Sequence, residues 1–149
     1  MARIEVTTHV EASPQRVWDV LTDWERQAEW MADVRHLTVV SEQREGTGVA
    51  LRANTDILGF MVRDELEVTQ WEPPSVLGVR HLGRLIAGVA AFELTPTAAG
   101  TRLVWWEEAS VPLGGVGDAV AELVLVPWIR RVFRRSVAHL KRLCEAQAG

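Results

Sequence analysis

Residues 117–146 read GDAVAELVLVPWIRRVFRRSVAHLKRLCEA and form the one long helical pattern in the chain. In the second half of this stretch, apolar residues recur at steps of three and four, so they share one stripe of a helix with 3.6 residues per turn. No other segment is long enough to form a helix of equal length, so we expect the stripe to pack against a β-sheet. The stripe consists of Ile129, Val132, Phe133, Ser136, Val137, Leu140, Leu143 and Cys144.

The first half of this helix, residues 118–126, has a different pattern. It is apolar on all sides, and only Asp118 and Glu122 interrupt it. Such a segment is predicted to be covered on most sides or to face a cavity. Pro127 follows directly, and because proline lacks an N–H and crowds the carbonyl one turn back, a kink or break is predicted there.

The rest of the chain predicts one strand, two short helices and a meander of six strands. Residues 3–10 alternate between apolar and polar side chains, as in a half-buried strand. Ser13-Pro14 predicts the start of a short helix, and Asp23 predicts the cap of a second helix over residues 24–31. The six strands, separated by turn-forming residues, are predicted at 35–42, 49–55, 60–71, 76–82, 86–95 and 101–110.

Hairpin pairing across the predicted turns sets the register of the strands. Pairing around Pro73-Pro74 places Val68 opposite Val79 and Leu66 opposite His81. Pairing around residues 96–100 places Phe92 opposite Trp105. In this register the apolar members of each alternating pair face the long helix.

Composition indicates an ordinary globular protein. At 149 residues, with 48% apolar and 24% charged residues, we expect a single domain over residues 1–149. The longest uncharged apolar run, residues 123–129, is far shorter than the roughly 20 residues that span a bilayer. The amino terminus lacks the apolar block of a signal peptide, so a cytoplasmic location is expected. Cys144 is the one cysteine, and its place on the apolar stripe predicts a buried small side chain.

The charge is unevenly distributed along the chain. The net charge is −4, but residues 127–149 carry six Lys or Arg and one Glu, so the remainder is strongly acidic. A solvated basic helix face on an acidic body is the favoured interpretation, because nucleic-acid-binding domains are usually basic overall. We therefore expect no nucleic-acid partner. The oligomeric state is left open.

The predicted order of elements resembles the START-like helix-grip superfamily. This superfamily includes the birch-pollen-allergen fold and the polyketide cyclase/dehydrase and lipid-transport proteins. The resemblance implies an α+β fold in which a curved seven-stranded antiparallel sheet grips the long carboxy-terminal helix around a cavity for largely apolar molecules. The motifs that carry it are SPQRVW (13–18), WEPP (71–74), FELTP (92–96) and GTRLVW (100–105).

Three ionisable residues fall on otherwise apolar inner strand faces: Asp64, His81 and Glu107. Burial without a partner would destabilise each of them or shift its pKa. They are candidates to orient a ligand or to act as a catalytic acid/base set, in which His81 moves a proton. The alternative is that they lie near strand ends and reach water. Their spacing does not indicate a metal site, and no cofactor is predicted.

Apolar side chains predicted to face the helix complete a candidate ligand-binding set. Trp30, Trp105 and Trp128 are the tryptophans that we expect in the cavity wall. A hinge at Gly114-Gly115 that lets the helix open as a lid is one hypothesis, and a simple loop is the alternative. The full candidate set is Trp30, Leu51, Val62, Asp64, Leu66, Val79, His81, Phe92, Trp105, Glu107, Leu123 and Trp128.

Three functions are compatible with this pattern. The first is binding or transport of a small, mostly apolar ligand, such as a lipid, a polyketide or an aromatic compound. The second, implied by the resemblance, is a polyketide cyclase or dehydratase that uses the cavity acid/base residues, although the sequence departs from the aromatase/cyclase pattern in having no tyrosine. The third is a module that docks another protein through its basic helix face or acidic body.

Overall fold

The computed structural model describes residues 2–83, 86–110 and 115–146. Within them the chain forms seven strands, two α-helices and one 3₁₀ helix. Their order and bounds are β1 (Ala2–Val10), α1 (Pro14–Leu21), the 3₁₀ helix (Trp24–Glu29), β2 (Val34–Val39), β3 (Ala50–Ile57), β4 (Phe60–Glu72), β5 (Val76–Leu82), β6 (Ala87–Thr97), β7 (Gly100–Ser110) and α2 (Gly115–Ala146).

The strands form one antiparallel sheet in the order β1-β7-β6-β5-β4-β3-β2. The sheet is a meander from β2 to β7, and β1 joins its free edge beside β7. The predicted registers are confirmed, because Val68 pairs with Val79, Leu66 with His81, and Phe92 with Trp105. The α+β helix-grip architecture expected from the sequence is therefore the one observed.

Helix α2 packs its predicted apolar stripe against the sheet. Val132, Phe133, Val137, Leu140 and Cys144 are all buried. Burial of this kind stabilises a fold by about 25 cal/mol for each Å² of apolar surface removed from water. The side chain of Cys144 is a buried free thiol, as predicted, and burial raises its pKa to about 11.

A buried serine on the stripe ties α2 to the segment before β2. The Ser136 hydroxyl donates to the Val132 carbonyl at 2.8 Å and accepts from the Ala32 N–H at 2.9 Å. Both hydroxyl functions are thereby satisfied inside the core. The contact fixes the backbone immediately before Asp33 relative to the helix.

Of the two alternatives expected for the first half of α2, the one in which the segment faces a cavity is confirmed. The segment is not covered on most sides, because the exposed fraction is 53% for Val120, 78% for Leu123 and 54% for Val124. Leu125 and Val126 do face the cavity, so this part of the helix has one covered face and one open face. Of the kink or break predicted at Pro127, the break is wrong, because the helix continues through this residue as one element.

Smaller differences concern element ends. Strand β2 ends at Val39 instead of residue 42, because the Ser41 hydroxyl accepts from the Ala50 N–H at 3.0 Å and replaces the next ladder bond. The second short helix is a 3₁₀ helix, and its N-cap Asp23 makes no side-chain capping bond. The rule that the apolar members of the alternating pairs face the helix fails for Phe60, which is 76% exposed at the tip of the β3–β4 hairpin.

Aromatic rings fill one part of the space between sheet and helix. The ring of Trp105 stacks between Phe92, with centroids 4.9 Å apart, and Phe133, at 3.7 Å. Trp30 packs edge-on against Phe92 and Trp105 at 6.0 and 6.3 Å. Such contacts add about 0.5–1.5 kcal/mol each beyond their buried area. They hold α2 against the sheet next to the cavity.

The hinge predicted at Gly114-Gly115 depends on Gly114, which lies outside the described residues; Gly115 is the first residue of α2. In the described part of the chain, no helix is both long enough and apolar enough to cross a bilayer.

If α2 is held by its stripe, Leu140→Ala should lower the free energy of unfolding by about 2–5 kcal/mol, because it leaves a cavity at a fully buried position. The matched control is Leu123→Ala on the exposed face of the same helix, which should change stability by less than about 0.5 kcal/mol. Urea denaturation of both variants measures the difference. Equal effects would contradict the observed helix orientation.

Candidate functional site

A cavity of about 370 Å³ lies between the inner face of the sheet and helix α2. Its lining is mostly apolar and comes from strands β1 to β7, from the segment around the 3₁₀ helix, and from α2. The lining residues are Ile4, Trp24, Gln27, Met31, Asp33, Val34, Leu37, Leu51, Ala53, Thr55, Ile57, Asp64, Leu66, Leu77, Val79, His81, Ile86, Phe92, Trp105, Glu107, Glu122, Leu125, Val126, Ile129 and Phe133.

The three ionisable residues predicted on inner strand faces meet in this cavity. Nδ1 of His81 lies 2.8 Å from Oδ2 of Asp64, and Nε2 lies 2.9 Å from Oε1 of Glu107. The first contact is a hydrogen bond; the second is close but not aligned as one, so its attraction is mainly electrostatic. The side chains of His81 and Asp64 are only 9% and 7% exposed.

Small residues on β6 make this cluster possible. His81 is on β5 and Glu107 on β7, so one strand separates them. The residues on β6 that pair with them are Gly88, opposite His81, and Ala90, opposite Glu107. Gly88 has no side chain, and its φ of 145° is one that other residues rarely adopt. Little side-chain bulk therefore stands between the imidazole and the carboxylate.

The two carboxylates hold His81 in its charged form. Burial alone would lower its pKa, but the contacts with Asp64 and Glu107 outweigh burial and raise the pKa to about 10. The folded-state pKa is above the unfolded value of 6.5, so the histidine stabilises the fold fully below that value. The stabilisation by the charged His81 is lost as the pH rises from 6.5 through about 10.

A third acid, Asp33, lines the same cavity and was not among the residues predicted from the sequence. Its backbone is fixed by the Asp56 N–H, which donates to the Asp33 carbonyl at 2.7 Å, and by the neighbouring contact of Ala32 with Ser136. Burial is the main cause that raises the pKa of Asp33, and the nearby charges of Glu107 and Asp64 add to it. A hydrogen bond to the backbone of Asp33 itself and the charge of Arg35 oppose the rise, and the resulting pKa is about 6. Three carboxyl groups thus converge on one end of the cavity.

Eight of the twelve predicted ligand-binding residues line the cavity: Leu51, Asp64, Leu66, Val79, His81, Phe92, Trp105 and Glu107.

Four predicted residues lie elsewhere. Trp30 is buried behind Phe92 and Trp105, and Val62 is half-buried near the β3–β4 turn. Leu123 is on the open face of α2, and Trp128 is half-buried on the same helix but outside the lining.

Glu122 and Asp33 line the cavity but were not predicted, and only Glu122 could have been found from the periodicity of the sequence. Glu122 is three and four positions before Leu125 and Val126, so helical spacing places it on the cavity face. Asp33 lies in the short connection between the 3₁₀ helix and β2, where neither period applies. No pattern in the sequence marks it.

The carboxylates do not form a recognisable metal site. Among the described residues, no group of three or more His, Cys, Asp and Glu side chains has a suitable arrangement for a metal ion. The cluster is instead one imidazolium that two carboxylates flank, with a third carboxyl close by.

Asp33→Asn should make the protein more stable at pH 8 by about 1–2 kcal/mol and leave it unchanged at pH 4. The pKa of Asp33 is raised from 3.8, so the folded state holds this proton more tightly and stability falls as the pH rises through about 6. Urea denaturation at both pH values measures the change.

Asp56→Asn is the control with the opposite sign. The Asp56 carboxylate accepts from the Gly59 N–H at 2.8 Å and from Arg35 at 3.1 Å, and both contacts lower its pKa. Its replacement should destabilise the protein at pH 8. If Asp33→Asn instead lowers the stability at pH 8, burial does not disfavour the ionised form of Asp33 and the prediction is wrong.

Known proteins resemble this chain in fold more than in sequence. The aromatase/cyclase ZhuI of a Streptomyces species superposes with a TM-score of 0.87 at 17% identity, over 99% of this chain and 96% of that one. The protein TTHA0849 of Thermus thermophilus superposes with a TM-score of 0.86 at 17% identity, over 99% of this chain and 100% of that one. A START superfamily protein of Mycobacterium smegmatis superposes with a TM-score of 0.68 at 16% identity, over 98% of this chain and 96% of that one.

Sequence comparison identifies both a relative and a family. An uncharacterized protein of Mycobacterium tuberculosis, Rv1546, is 26% identical over 84 residues, which are 56% of this chain and 59% of that protein. The chain thus matches about three fifths of the length of this relative. Residues 1–145 match the family described as polyketide cyclase/dehydrase and lipid transport. The chain belongs to the polyketide cyclase/dehydrase and lipid transport family.

Proposed function

We propose that this protein binds a small, mostly apolar ligand in the cavity between the sheet and α2. The observation that carries the proposal is the cavity itself, about 370 Å³ in volume with an apolar lining and a few polar groups at one end. Sites for small molecules usually have this composition, since the apolar wall supplies affinity and the polar groups fix orientation. The family to which the chain belongs includes lipid-transport proteins, in agreement with this function.

The geometry favours binding over acid/base catalysis by His81. A general base needs a free lone pair, but both ring nitrogens of His81 face carboxylate oxygens. A pKa of about 10 keeps the ring protonated at neutral pH. His81 therefore serves as a fixed cation that holds Asp64 and Glu107 in place.

A cyclase or dehydratase activity is the second candidate, and Asp33 is the observation that favours it. A cavity carboxyl with a pKa of about 6 can give and take a proton near neutral pH. The two functions differ in whether the ligand is returned unchanged. Mass spectrometry of a ligand recovered after incubation with the protein distinguishes them, because only an enzyme changes the mass or the fragmentation of the ligand.

Ala53→Leu tests the binding site directly. Ala53 is buried and lines the cavity, so a larger side chain there should occupy ligand space and weaken binding of decanol by about tenfold. Trp24 and Trp105 also line the cavity, so tryptophan fluorescence should report saturable binding to the unmodified protein.

Ala138→Leu, on the exposed face of α2, is the matched control and should bind decanol as the unmodified protein does. Equal affinities of the Ala53 and Ala138 variants would place the binding site elsewhere. Absence of saturable binding to the unmodified protein, in fluorescence and in calorimetry, would contradict the proposed function.

A further inference from the structure

The charged residues that line the cavity are predominantly acidic. Asp33, Asp64, Glu107 and Glu122 contribute carboxyl groups, and His81 contributes the one positive charge among the described lining residues. No lysine or arginine belongs to the described lining. Among these described residues, the three acids Asp33, Asp64 and Glu107 outnumber the single cation His81.

His81 does not compensate all of this charge. Its two nitrogens face Oδ2 of Asp64 and Oε1 of Glu107. Asp64 is only 5% exposed, and its Oδ1 atom is buried without a hydrogen-bond partner. Asp33 makes no ion pair in the part of the chain that the structure describes. A buried oxygen without a donor is costly, by about 1–3 kcal/mol.

The three carboxyl groups at the polar end of the cavity determine which ligand head group would fit there. Asp33, Asp64 and Glu107 are close enough that the charges of the latter two raise the pKa of the first. A positively charged group with several N–H donors relieves this repulsion and supplies the missing hydrogen bond. A carboxylate or phosphate head group would add to the repulsion. A neutral hydroxyl would donate one bond without reducing the charge.

We propose that the ligand is an apolar amine, with its hydrocarbon body against the apolar wall and its ammonium group among Asp33, Asp64 and Glu107. This inference rests on the proposed function and specifies its ligand class. Aromatic and aliphatic side chains such as Trp105, Leu51 and Ile129 surround the body. The cavity selects against fatty acids and other anionic lipids.

Three probes with the same ten-carbon chain and different head groups test the proposal: decylamine, decanol and decanoate. Isothermal titration calorimetry at pH 7.5 measures each affinity. We expect decylamine to bind at least about tenfold more tightly than decanol, and decanoate at least about tenfold more weakly than decanol. A preference for decanoate, or equal binding of all three, would overturn the amine assignment while leaving apolar-ligand binding intact.

Two variants locate the source of the preference. Asp33→Asn and Glu107→Gln each remove one charge at the polar end of the cavity, and each should reduce the ratio of amine to alcohol affinity by about threefold to tenfold. Glu42→Gln, which removes an exposed charge outside the cavity, is the control for overall net charge and should leave the ratio unchanged.

If Glu42→Gln reduces the ratio as much as the cavity variants do, the preference is a nonspecific charge effect and the proposal fails. If none of the three probes binds, the proposed function fails as well. The decanol titration separates these two failures, because decanol depends on the apolar cavity alone.

Discussion

The site depends on one interaction, the contact of the His81 imidazole with Asp64 on one side and Glu107 on the other. Each of these groups alone would be costly to bury, because the interior solvates charge poorly. Together they place a cation between two anions at 2.8 and 2.9 Å. Removing one member of such a buried group is destabilising by about 3–5 kcal/mol, since it leaves the others uncompensated. The cluster can therefore remain charged inside a largely apolar cavity.

Strand order and side-chain size bring this cluster together. The imidazole and the Glu107 carboxylate belong to strands that are not neighbours, and Gly88 and Ala90 on the strand between them leave room for the contact. The stack of Phe92, Trp105 and Phe133 then holds α2 against the adjoining part of the sheet. One end of the interior is thus packed with aromatic rings, and the remaining cavity has a polar end with a fixed charge arrangement.

Much of this arrangement follows from periodicity in the sequence. Alternation along the strands, together with short hairpin turns, was enough to predict which residues pair and that Asp64, His81 and Glu107 share the inner face. It could not predict Asp33, whose position is set by tertiary bonds to Asp56 and, through Ala32, to Ser136. It also misplaced Leu123, because a helix segment that is apolar all round does not reveal which face the sheet covers.

The contacts of His81 make it a fixed cation and not a titrating acid or base at neutral pH. Nuclear magnetic resonance of ¹⁵N-labelled imidazoles tests it most directly, with the His81 signal identified among the four histidines by its loss in His81→Gln. We expect a ring that is protonated on both nitrogens at pH 8 and titrates with a pKa of about 10. A midpoint near the ordinary value of 6.5, with one nitrogen unprotonated at pH 8, would contradict it.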